Sequence, residues 1–185
     1  MTVSGIAFVG VDGVYPDPSR ADATAFDARA FSHGPEPRDA ANRQVAEALG
    51  DNGVLLLGRR TWEALGKLWR QRGDAFAAYI DKVPKLVATR DGVDTAAWPN
   101  SAPLKGGLAE AVRRQPRDVA ITGSLDVVWQ LMSADLVDEY RLVTVPDVAG
   151  GVGRRLFPDG RGLELESLGA ERAGAATVTR FRRVR

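Results

Sequence analysis

The chain predicts an α/β domain with a mostly parallel central sheet and an antiparallel hairpin at its C-terminal edge. Two patterns carry that expectation. Short apolar runs, each stopped by a glycine, a hydroxyl or an arginine, alternate with stretches of helical period through the first three quarters of the chain. Strands alternating with helices in this way build parallel sheets. Further on, Leu163 and Leu165 alternate with Glu164 and Glu166, and Gly174 separates that run from strand-like residues 177–184. Two such runs joined across a glycine read as a hairpin, which adds an antiparallel edge.

Residues 6–11 form the first strand, which ends at the Asp12-Gly13 turn signal. Residues 14–38 carry Pro16, Pro18, Pro35 and Pro37 among several Asp and Gly. A polar connection of that length inside a compact domain is usually functional or mobile. Residues 39–49 read as a helix, with Val45 and Leu49 on one face and Gly50 near its end. A strand at 54–57, a helix at 61–68 and a second helical piece at 75–80 follow. Next come a strand at 85–89, a loop through Trp98-Pro99-Asn100, a helix at 108–114 and a strand at 119–122. In the helix at 124–133, Val127 and Val128 meet Leu131 and Met132 at i,i+4, so one face is apolar. A strand at 139–145 precedes the hairpin. No internal repeat is visible, and residues 1–185 read as one domain, large enough for a real core.

The strand-to-helix junctions hold the chemistry. The apolar run Val54-Leu55-Leu56-Leu57 opens into Gly58-Arg59-Arg60-Thr61-Trp62-Glu63. Thr61 stands where a helix N-cap is expected, with two guanidiniums at the helix mouth. A helix N-terminus offers free N–H groups and a positive dipole end, and guanidinium forks bind phosphate oxygens in pairs. The bland alternative is an ordinary turn with two solvated arginines. The second junction, Asp118-Val119-Ala120-Ile121-Thr122-Gly123-Ser124-Leu125, repeats the pattern. Gly123 allows close backbone approach, and Ser124 can cap the helix and meet a phosphate; plain helix capping is the alternative. A third strand ends in Thr89-Arg90-Asp91. Ligands of open α/β sheets bind at the carboxyl ends of strands. The three ends together suggest an extended, phosphate-rich ligand such as a dinucleotide.

These residues carry a family resemblance. Gly58-Arg59-Arg60-Thr61-Trp62-Glu63 resembles the cofactor motif of dihydrofolate reductases. Three later stretches are Ile121-Thr122-Gly123-Ser124, Ala134-Asp135-Leu136-Val137-Asp138-Glu139-Tyr140-Arg141-Leu142 and Gly150-Gly151-Val152-Gly153-Arg154-Arg155-Leu156-Phe157. Their order and spacing are more similar to the reductase domain of riboflavin biosynthesis and to the broad bacterial dihydrofolate reductase family. The resemblance runs from Gly5 to about Arg183. It implies a dihydrofolate reductase-like three-layer α/β/α fold, NADPH as cofactor and hydride transfer to a small heterocyclic substrate. A 5-amino-6-(5-phosphoribosylamino)uracil reductase is the leading named activity.

The resemblance also implies roles. Arg59 and Arg60 would take the 2′-phosphate and neighbouring phosphates, and Gly58 and Thr61 the pyrophosphate at the helix start. Thr89 and Arg90 would hold the adenosine end, and Gly123, Ser124 and Leu125 would line a second phosphate-binding turn. The Phe8 main chain would lie near the nicotinamide carboxamide. Gly151, Arg155 and Phe157 fall on a loop near cofactor or substrate, the alternative being a glycine-rich turn with Arg155 solvated. Riboflavin-type relatives commonly pair, so a homodimer is expected, with residues 142–145 and the terminal hairpin as candidates for its contact. Dihydrofolate itself fits poorly. The helix at 39–49 offers Asp39 and Glu47, neither in a recognisable motif, and no Trp-Pro-Trp-type substrate loop is visible.

Composition narrows the classes. The 25 basic and 24 acidic residues nearly cancel, so nothing draws the whole chain to nucleic acid or an anionic membrane. No run is long enough to cross a bilayer, and the first residues lack the basic start of a signal peptide, so a cytoplasmic location is the default expectation. With no cysteine, disulfides, thiol catalysis and Cys-ligated metals are excluded, and no metal is expected. The catalytic proton donor is not identified. Asp12 ends the first strand beside the expected cleft, where it could touch substrate or shape its own turn. His33, the one histidine, reads as a loop residue. Trp62, Trp69, Trp98 and Trp129 read as packing residues. Arg180, Arg182, Arg183 and Arg185 read as a solvated strand end that deters edge pairing. The remaining alternatives are an NADP(H)-binding module without turnover, a dihydrofolate reductase proper, and a nucleic-acid or interaction protein using its Arg-rich end.

Overall fold

Strand β1 (Val3–Gly10) is buried at every position but Phe8, as a central strand covered on both faces must be. In the computed structural model, which describes residues 1–17, 25–160 and 162–185, it lies inside an eight-stranded sheet. On one side of β1 come β6 (Val119–Ile121), β3 (Val54–Gly58), β4 (Lys85–Ala88) and β5 (Ser101–Pro103), all parallel. On the other side β7 (Glu139–Val145) is parallel, while β10 (Ala176–Arg183) and β9 (Leu165–Ala173) close the sheet antiparallel. Across the sheet the order is β5-β4-β3-β6-β1-β7-β10-β9. A separate two-stranded ribbon joins β2 (Val14–Tyr15) to β8 (Arg154–Arg155).

Helices cover both faces. The helices α5 (Leu108–Arg113) and α6 (Leu125–Ser133) pack with Val54, Leu56 and Ile121. On the opposite face Leu55 and Leu57 pack with α2 (Pro35–Leu49), α3 (Arg59–Arg72) and α4 (Ala75–Lys82). A third cluster joins α1 (Ala25–Arg29) and the start of α2 to Val143, Val145 and Val178. The alternation along β3 sends successive leucines to opposite layers, which is why its sequence reads as one unbroken apolar run. The architecture is therefore the expected three-layer α/β/α one.

Lys85 is unusual in being only 1% exposed at the start of β4. Its ammonium donates to the carbonyls of Val83 at 2.7 Å and Pro99 at 2.9 Å and lies 4.8 Å from the centre of the Trp98 ring. Burial pulls its pKa down to about 8, against the opposing charge of Asp81.

Several boundaries differ from the sequence expectation. Helix α2 starts at Pro35 rather than residue 39, because proline fits the first helical turn, where its missing N–H goes unused. Helix α3 starts at Arg59, with Gly58 as its N-cap, so Thr61 lies within the first turn and is not the cap. Strands β2, β5 and β8 and helix α1 interrupt segments expected to be loop. Within the expected long connection 14–38, residues 18–24 lie outside the described residues. The expected dimer contact at residues 142–145 also needs correction. Strand β7 sits between β1 and β10 with Val143 and Val145 fully buried, so it offers no edge; the free edge on that side is β9.

Candidate functional site

Neighbouring strands β3 and β6 end at the same level and each opens into a helix. Their ladder pairs Leu56 with Ile121, after which Gly58 caps α3 and Ser124 occupies the N-cap position of α6. Glycine at 58 permits a close approach. A Cβ there would lie 2.6 Å from Ser124 Oγ and 3.0 Å from Ser124 Cβ. The two helix starts are thus in close contact, with the Ser124 side chain against the Gly58 backbone. Gly123 has a positive φ of 96° and a cis bond to Ser124. A Cβ on it would stand 2.8 Å from Tyr15 Oη and 3.2 Å from Thr61 Oγ1. Gly58, Thr61, Gly123, Ser124 and Tyr15 therefore meet at one place.

That place is rich in donors. Neither Gly58 nor Ser124 makes a side-chain cap hydrogen bond. The N–H groups of both first turns stay free for another acceptor, and both positive dipole ends meet here. Leu125 supplies backbone alone, since its side chain is in the core. Arg59 is already engaged: its Nε donates to Glu63 Oε1 at 3.0 Å, and its terminal nitrogen lies 3.7 Å from Asp91. Arg60 is exposed and makes no ion pair among the described residues. Ala88 is level with Gly58, so Thr89 and Arg90 continue the same edge, the Thr89 hydroxyl donating to the Gly92 carbonyl.

A gap opens between β1 and β6. The Thr2 carbonyl accepts from Val119 at the start of β6, and the Val3 carbonyl accepts from Asp138 just before β7. Alternate residues of β1 thus address alternate neighbours. Strand β6 ends at Ile121, opposite Gly5. The main-chain N–H and C=O of Phe8 therefore face the space beyond β6, while its ring packs at a tilt against Phe31, the centroids 5.0 Å apart.

The remaining expected residues are placed elsewhere. Asp12 Oδ2 accepts from the N–H groups of Ala149 and Gly150 at 2.9 and 3.2 Å, so the carboxylate holds the glycine loop and shapes its turn. Gly151 is exposed on that loop. Arg155 pairs with Asp159 at 3.3 Å, and the Phe157 ring packs edge-on against Tyr140 at 5.2 Å. His33 lies in the loop between α1 and α2, as expected, and is paired there. Its Nε2 lies 2.5 Å from Asp147 Oδ2, with Arg29 also beside the carboxylate. These two partners hold the Asp147 carboxyl below its ordinary pKa, His33 most strongly. Among the described residues no cluster suits a metal ion, and no helix is long and apolar enough to cross a membrane.

Sequence reasoning missed Tyr15 and Arg154. They are paired across the β2–β8 ribbon, whose two-residue strands give no periodic signal. A shallow concavity of about 590 Å³ between α5 and α6 is separate from the junction and carries no comparable set of donors.

The RibD C-terminal domain model matches residues 6–179. No curated protein sequence matches the chain. Among solved structures, it superposes on a candidate riboflavin biosynthesis protein from Shewanella sp. PV-4 with a TM-score of 0.65 and 16% identity, covering 100% of both chains. It also superposes on a pyrimidine reductase-like protein from Corynebacterium diphtheriae with a TM-score of 0.56 and 12% identity, covering 100% of this chain and 92% of the other. At these identities the structural likeness supports the fold alone. The family match spans nearly the whole sheet and both helix junctions: the chain belongs to the RibD C-terminal domain family, a riboflavin-pathway type of reductase domain.

Proposed function

We propose that the protein is an NADPH-dependent reductase that passes hydride to a small heterocycle, with a pyrimidine of the riboflavin pathway as the leading substrate class. One observation carries the cofactor reading. Two helix N-termini and the free hydroxyls of Thr61 and Ser124 converge where β3 and β6 end, with Arg60 exposed beside them. Such a donor set suits a diphosphate. The family match supports the reductase class.

The nicotinamide would supply the hydride, and the protein would supply position and electrostatics. The first-turn N–H groups of α3 and α6 would bind the diphosphate oxygens together with the Thr61 and Ser124 hydroxyls. Arg60 would meet the 2′-phosphate, with Arg59 as the weaker contributor because it is shared with Glu63 and Asp91. Thr89 and Arg90 lie further along the edge, suited to the adenosine end. Phe8 presents one N–H and one C=O to the gap, the complement of a carboxamide.

Calorimetric titration with NADPH and NADH tests this reading. NADPH is expected to bind at least tenfold tighter. R60A should weaken NADPH more than R59A does and leave NADH nearly unchanged. Equal affinity for the two nucleotides would overturn the assignment.

A further inference from the structure

The β2–β8 ribbon is the one part of this edge that the cofactor reading leaves without a task. It is firmly held. Arg154, level with Tyr15 in the ribbon, forms a 2.6 Å ion pair with Asp126 in the first turn of α6. The Arg154 guanidinium also lies 5.2 Å from the centre of the Trp129 ring. Trp129 Nε1 in turn donates to the Leu156 carbonyl at 2.9 Å, one residue beyond the ribbon. These contacts tie the ribbon to α6 and bring the Tyr15 hydroxyl to Gly123.

The hydroxyl has an unusual setting. It lies 2.8 Å from the point a Gly123 side chain would occupy, and Thr61 Oγ1 lies 3.2 Å from the same point. Ser124 Oγ is on the adjoining residue. Among the described residues none of the three hydroxyls has a hydrogen-bond partner. All three hydroxyls can donate, and they stand beside the first-turn N–H groups of α3 and α6, a set that suits an anionic acceptor. Burial and the nearby Asp17 carboxylate raise the phenol above its ordinary pKa, with Arg154 opposing in part. Tyr15 thus remains an O–H donor at neutral and mildly alkaline pH.

We propose that Tyr15 is a ligand-contacting residue, its phenol donating to a phosphate oxygen held between the N-termini of α3 and α6. The inference rests on reading this junction as the cofactor's phosphate site. Replacing side chains at Gly58 and Gly123 by hydrogen leaves the room, and the ribbon brings in a third donor that neither helix can provide.

The test is calorimetric titration of wild type and Y15F with two probes, NADPH and inorganic pyrophosphate, at neutral pH. Phenylalanine keeps the ring and removes only the donor. A hydrogen bond to a charged acceptor predicts a loss of roughly 10- to 100-fold for both probes in Y15F. R154A, which loosens the ribbon without touching the junction hydroxyls, should give a smaller loss. Unchanged affinity in Y15F for probes that the wild type binds would overturn the role of Tyr15 and leave the cofactor reading standing. A Tyr15-dependent affinity for pyrophosphate without any for NADPH would support Tyr15 and overturn the cofactor. Wild-type protein that binds neither probe would overturn both.

Discussion

Gly58→Ala is the sharpest perturbation of the junction between β3 and β6. The backbone at Gly58 has φ −72° and ψ 152°, which any residue adopts, so the effect is steric and not conformational. The added Cβ would lie 2.6 Å from Ser124 Oγ, 3.0 Å from Ser124 Cβ and 3.5 Å from the Ser124 nitrogen. A rotation of the serine moves Oγ away but leaves the Cβ contact. Relieving that contact shifts the start of α6, whose Leu125, Val127 and Val128 are in the core. Overpacking of this kind costs about 1–3 kcal/mol. Alanine is also a poorer N-cap than glycine, while the lower entropy of the unfolded chain offsets about 0.4–1 kcal/mol. The net loss of about 1–3 kcal/mol corresponds to a melting point lower by roughly 3–10 °C for a domain of this size. Differential scanning calorimetry reads it directly. G58A/S124A should recover part of the loss, and G58A/S124G more, since the second change also removes the Cβ. Coupling between the two sites is the signature of direct contact. A G58A protein that melts with the wild type, or one that Ser124 substitutions do not rescue, would refute the reasoning.

Three further outcomes are expected. Lys85 has a folded pKa of about 8 against an ordinary 10.5, so between these values the unfolded chain holds more protons and stability rises with pH. The gap is worth about 3 kcal/mol; urea unfolding of wild type relative to K85M from pH 8 to 10.5 should show the rise, and a level or falling difference contradicts it. Asp147 is held below its ordinary pKa, so its contribution is present above that ordinary value and lost as pH falls through the folded one. H33A should therefore move acid unfolding to higher pH, and an unchanged acid midpoint would show that the His33–Asp147 contact is inconsequential. Trp98→Phe removes both the 2.7 Å bond to Asp81 and the larger ring over Lys85; a loss of about 1–3 kcal/mol in chemical denaturation is expected, and wild-type stability would contradict the packing described.

The apolar run at β3, the Asp12-Gly13 turn and the alternation at the C-terminal hairpin made the sheet legible, because each leaves a local signature. The junction was legible in part for the same reason: Gly58 and Gly123 both punctuate strand ends. What joins them was not. That Gly58 touches Ser124, and that Tyr15 reaches Gly123, are facts about residues far apart in the chain. The N-cap of α3 was placed too late because a glycine cap carries no side-chain signal, and Thr61 offered a more familiar one. His33 is legible as a loop residue, but its partner is not, because Asp147 lies beyond β7. The ribbon pairs residues 14–15 with 154–155, too few on each side for any periodicity to show.

A crystal structure of the protein with NADPH bound tests the central claim most directly. The account predicts the diphosphate between residues 58–61 and 123–125, Arg60 on the 2′-phosphate and the carboxamide against the Phe8 main chain. Nucleotide bound away from the ends of β3 and β6, or a junction that stays empty at saturating NADPH, would contradict it.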